Sequence, residues 1–87
     1  MPNLLTVFGL RFFFYSREHE PVHVHVESNE GLAKFNILPD SIVLVYNKGM
    51  KQKDVRCAEM VLEENKELAI SKWREYFGSS MTEEEEE

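Results

Sequence analysis

Glycine and proline punctuate the first fifty residues of this chain and are then absent until Gly78. Gly9, Pro21, Gly31, Pro39 and Gly49 recur at intervals of about ten residues, and the stretch from Lys51 to Phe77 contains neither residue type. Short segments between turn residues suit strands, and a long uninterrupted segment suits helix. The spacing therefore predicts sheet first and helix second.

Within the first half, Leu4 to Phe8 and Arg11 to Tyr15 are predicted strands, with Gly9 at the first central position of a tight hairpin turn. Pro21 has no N–H to donate and breaks the ladder. From Val22 the pattern alternates: Val22, Val24 and Val26 point one way, and His23, His25 and Glu27 the other. Ser28 to Gly31 is turn chemistry, Leu32 to Leu38 a fourth strand, and Ile42 to Tyr46 a fifth between Pro39-Asp40 and Asn47-Lys48-Gly49. The turn fixes a register. Val24 faces Phe35 and Val26 faces Ala33 on an apolar side, while His25 faces Lys34 and His23 faces Asn36 on the other. A slip of one residue would mix the two faces.

In the second half, apolar residues from Val55 to Phe77 recur every three or four positions, so one face is buried. A single helix of this length would extend about 40 Å, against about 20 Å for the strands. A break near Asn65 is predicted, with Asn65 as N-cap of a second helix, and Gly78 closes the segment. Trp73 and Phe77, at i and i+4, form an aromatic pair for packing. Strand 2 is apolar on both sides. Phe12 and Phe14 share one face, and Phe13 and Tyr15 share the other, so the second face needs a cover besides the helices. A loop, the C-terminal segment or another subunit are the alternatives.

The expected architecture is thus α+β: an antiparallel meander of about five strands followed by a C-terminal helical layer of two helices broken near Asn65. Residues 1–78 form one domain, and 79–87 a disordered acidic tail. Glu83 to Glu87 carry most of the net charge of −6 and leave a near-neutral body, which disfavours nucleic-acid binding by the whole surface. The single cysteine, Cys57, excludes an internal disulfide and fits a reducing compartment. No apolar run approaches a membrane span, and Met1-Pro2-Asn3 lacks a signal-peptide layout. A cytoplasmic protein is expected.

All three histidines fall within seven residues. His23, His25 and Lys34 have the chemistry of a metal-free phosphodiesterase site: an imidazole for proton transfer and a cation for developing phosphate charge. His19, Glu20 and Asn36 are candidate binding residues beside them. Alternatively His19, His23 and His25 supply three nitrogens to a divalent metal, with Glu20 as an oxygen ligand, although Lys34 would set a cation beside it. The third alternative is a solvated face on which His19 or His23 ties down the Pro21 loop. A second cluster, Lys48, Lys51, Lys53 and Arg56, stands where a helix begins and is a candidate phosphate or RNA contact. Cys57 has no base fixed beside it.

Arg11-Phe12-Phe13-Phe14-Tyr15-Ser16, Glu18-His19-Glu20-Pro21 and His23-Val24-His25-Val26 resemble the bacterial domain of unknown function 4160. Ala33-Lys34-Phe35, Asn47-Lys48-Gly49 and Trp73-Arg74-Glu75-Tyr76-Phe77 match its later motifs. The chain departs at Val22, where that family has a second proline. The resemblance implies a small protein without an established activity, encoded beside a small domain of unknown function 2442 in an arrangement that looks like a toxin–antitoxin pair. The leading expectation is thus a toxin–antitoxin-type component that binds such a cognate protein, and the histidine face adds RNA cleavage as a candidate activity. A stand-alone enzyme or metal protein and a non-catalytic adaptor are the alternatives. No cofactor is expected unless the histidines take a divalent metal. A homodimer and RNA are further candidate partners.

Overall fold

The computed structural model describes residues 3–15 and 21–78. Strands β1 (Asn3–Val7), β2 (Leu10–Phe13), β3 (His23–Glu27), β4 (Leu32–Leu38) and β5 (Ser41–Lys48) are followed by helices α1 (Gln52–Glu64) and α2 (Lys66–Trp73). A π-helical turn, Arg74–Gly78, ends the described chain. The strands form one antiparallel sheet in the order β1-β2-β3-β4-β5, the meander the sequence predicts. The register of β3 on β4 is also as predicted, with Val24 opposite Phe35 and His25 opposite Lys34. The acidic tail lies outside the described residues.

The valine side of β3 faces the helices. Leu10, Phe12, Phe14, Val24, Val26, Ala33, Phe35 and Ile37 meet Val55, Ala58, Val61, Leu62, Ala69 and Trp73 in one core. In α1 the buried positions recur at helical spacing, which turns a single stripe to the sheet.

Three turns hold this layout. The first differs from expectation: Val7 pairs with Leu10, so Gly9 takes the second central position and Phe8 the first. Both have positive φ, +57° and +75°. The twist of a two-residue hairpin favours this geometry, and it forces Phe8 into a conformation costly for a bulky side chain. In the second, Gly31 lies against the turn after β5. A Cβ on Gly31 would stand 2.2 Å from the Lys48 carbonyl oxygen, so only glycine fits. In the third, the Asn47 side chain accepts from the Met50 N–H (2.9 Å) and donates to the Met50 carbonyl (3.0 Å).

The helix break falls at Asn65, but the expected N-cap is absent. Asn65 Nδ2 donates back to the Val61 carbonyl at 2.8 Å, alongside its own N–H at 2.9 Å. Asn65 thus terminates α1, and α2 starts without a side-chain cap. The Trp73 and Phe77 rings pack as predicted, 4.5 Å apart between centroids.

Candidate functional site

The helices cover one side of the sheet, so the other side carries the sequence-predicted site. Its rows follow from strand pairing. Arg11, Glu27, Leu32 and Lys48 lie across the sheet in one row, and Phe13, His25, Lys34 and Tyr46 in the next. His23, Asn36 and Val43 form a third. Register alone therefore brings His23, His25, Lys34 and Asn36 together. His19 and Glu20 lie outside the described residues.

The histidines are not on a solvated face. His23 is 5% exposed and His25 3%. Rings account for much of this. Tyr15 stacks on His25 with centroids 3.9 Å apart, and Phe13 lies 5.6 Å from His25 on a similarly shallow angle. His23 meets His25 edge-on at 5.4 Å and approaches Trp73 at 5.0 Å. Trp73 also packs edge-on against Phe14 of the core, so it closes the end of the sheet between the two faces. The Arg11 guanidinium sits 4.3 Å from the Phe13 centroid and holds Glu27 through Nη2 at 2.5 Å. Phe13 is buried by these groups within one chain, and needs no second copy to cover it.

His23 Nδ1 lies 2.8 Å from the Pro21 carbonyl oxygen. As donor it ties the entry of β3 to the proline, the loop-fastening role predicted for His19 or His23, and that bond places the His23 proton on Nδ1. Among the described residues no three histidine, cysteine, aspartate or glutamate side chains converge to hold a metal ion. His23 and His25 alone provide two nitrogens, and the predicted third ligand, His19, is outside the described residues.

The basic cluster disperses. Lys48 belongs to the far face, with Nζ 5.1 Å from the Tyr46 centroid. Lys51 pairs with Glu30 at 3.3 Å. It lines, with Lys53, Phe8 and Asp54, a cleft of about 210 Å³ at the other end of the sheet. Arg56 points to solvent from α1, and Cys57 is half-buried against the core.

Sequence reasoning missed Arg11, Tyr15, Tyr46 and the far-face position of Lys48. Arg11, Phe13 and Tyr15 alternate like the β3 histidines, and pairing Phe12 with Val26 by apolar match would have placed them beside His25.

The fold and this face define a small α+β domain whose meander sheet is covered by helices on one side and carries a cluster of packed rings over part of the other. The model of the family described as Domain of unknown function (DUF4160) matches residues 9–74, and the chain belongs to that family. No curated protein and no solved structure matches the chain significantly. No helix among the described residues is long and apolar enough to cross a membrane.

Proposed function

We propose that this domain is the partner-binding component of a toxin–antitoxin-type pair, and that it docks a small cognate protein of the domain of unknown function 2442 type on β5. The observation that carries the docking site is an edge strand with Val43, Leu44 and Val45 exposed in succession. Edge strands recognise extended partners by adding a strand, with main-chain bonds for affinity and side chains for specificity.

β5 also favours a dedicated partner over a second copy. Its pairing with β4 steps from Lys34–Tyr46 to Phe35–Leu44, leaving Val45 as an extra residue. The Ile37 N–H donates to the Val22 carbonyl, so Lys34 and Asn36 turn their backbone groups toward β5. Tyr46 and Val43 answer them, and the outward-facing groups near Ile42 and Asn47 fall out of regular period. Such a bulge discourages indiscriminate edge pairing, and a cognate strand is required to match it.

Acid–base cleavage by His23 and His25 is the weaker reading, because both rings lie under neighbouring rings rather than open to a substrate.

The test is co-expression with a small protein of the domain of unknown function 2442 type. The wild-type domain should co-purify with it, and Leu44→Lys and Val45→Lys should each weaken binding at least tenfold with unchanged circular dichroism. A partner that binds both variants as tightly as wild type removes β5 from the interface, and failure to bind wild type ends the reading.

A further inference from the structure

We propose that the far face of the sheet binds single-stranded nucleic acid, by stacking bases on Tyr15 and Tyr46 and pairing phosphates with Lys34 and Lys48. This surface shares Tyr46 and Lys48 with β5 but uses their side chains on the sheet face rather than the strand's backbone edge, so the inference does not rest on protein docking there.

Charge comes first. The chain as a whole is acidic, yet the β2 to β5 residues on this face carry three cations and one carboxylate. That carboxylate, Glu27, and Arg11 hold each other at 2.5 Å, so the positive excess rests on Lys34 and Lys48. The face is therefore a local positive surface suited to a polyanion.

The aromatic arrangement then selects which polyanion. Phe13, His25 and Tyr15 form a cluster of mutually touching rings, and Tyr15 is its exposed member, at 38%. Tyr46 stands two strands from His25 in the same row, with Lys34 between them. Two strand spacings are about 10 Å. Lys48 lies over the Tyr46 ring, which places a cation and a π-surface at one point. Aromatic rings on an open sheet, set among lysines, accept unpaired bases in succession while the cations follow the backbone. An acidic peptide uses the cations and leaves the rings idle. A duplex keeps its bases stacked on one another and out of reach.

The burial of both histidines makes them the floor of this platform rather than its reactive groups. Binding without cleavage is the expected outcome.

Fluorescence anisotropy with labelled 12-nucleotide RNA and DNA, at low and moderate salt, tests this on the intact protein. Wild type should bind single strands of at least one kind, and the preferred kind identifies the ligand. Tyr15→Ala and Tyr46→Ala should each weaken binding at least fivefold. Lys34→Gln should weaken it three- to tenfold and flatten the salt dependence, since each lost phosphate contact lowers that slope. Circular dichroism and a thermal melt on Tyr15→Ala and Tyr46→Ala separate loss of stacking from loss of folding, and a weakened variant counts only if it is folded. Lys72→Gln makes the same charge change on α2 and should have no effect. The proposal is overturned if folded wild type binds neither strand, or if duplex or polyglutamate binds equally well. It is also overturned if Lys72→Gln weakens binding as much as Lys34→Gln.

Discussion

The ring of His25 packs against both Phe13 and Tyr15, which also touch each other, and almost none of it reaches water. His25→Ala empties that place and should cost about 2–3 kcal/mol. For a domain this small the melting temperature should fall by roughly 8–24 °C, whereas His25→Phe should lose less because it keeps the ring contacts. A thermal melt in which His25→Ala stays within a degree or two of wild type would show that these contacts contribute nothing to the fold. Gly31→Ala is the backbone counterpart. The added Cβ meets the carbonyl of Lys48 rather than a flexible side chain, so the turn must open or the domain must fail to fold. Soluble yield and a melt distinguish that outcome from a neutral change. At this scale the sequence was half informative. The four-residue turn fixed His25 beside Lys34, so their proximity was legible. Their burial was not, because alternation gives the face of Tyr15 but not how the ring, two residues past the last paired residue of β2, closes over His25.

The β1–β2 hairpin has a turn that its own sequence does not favour. Phe8 occupies a position that Asn or Gly normally fills, and its side chain is 68% exposed, so no packing in the described structure offsets the backbone cost. Phe8→Asn gives the Asn-Gly pair suited to this turn and should stabilise the domain by about 1 kcal/mol, seen as a rise of roughly 4–8 °C in melting temperature. A fall instead would mean that the aromatic ring makes a contact worth more than the strain. Asn65→Ala should act in the opposite direction, by about 1 kcal/mol, since it removes the bond that closes α1 on Val61. That a break was needed followed from length: the strands are too short for a helix of 27 residues. The direction of the Asn65 side chain did not follow, because an asparagine at a junction can serve the helix behind it or the one ahead. The swapped turn position of Gly9 has the same origin. Leu10 is buried, and its burial draws β2 back by one residue.

Across the whole molecule, one side chain connects the layers. Trp73 is fully buried among Phe14, His23 and Phe77, joining the last helix to the core and to the far face. Its indole N–H is buried with no hydrogen-bond partner among the described residues, a cost that the aromatic contacts outweigh. Trp73→Ala should remove about 3–5 kcal/mol. A domain of this length has only about 4–13 kcal/mol in all, so the variant should be largely unfolded at 37 °C by circular dichroism. A cooperative melt near that of wild type would place the joint elsewhere.

The order of the strands also has a consequence in time. Each strand pairs with its neighbour in sequence, so the sheet closes through short loops and can zip progressively as the chain leaves the ribosome. Trp73 comes from the far end and reaches back fifty residues to His23. It is the only tryptophan in the chain. Its fluorescence therefore reports one event, the arrival of the C-terminal helix, while the far-ultraviolet signal follows the sheet. In a refolding experiment the two signals separate if the sheet forms first, and the indole marks the moment at which the domain becomes whole.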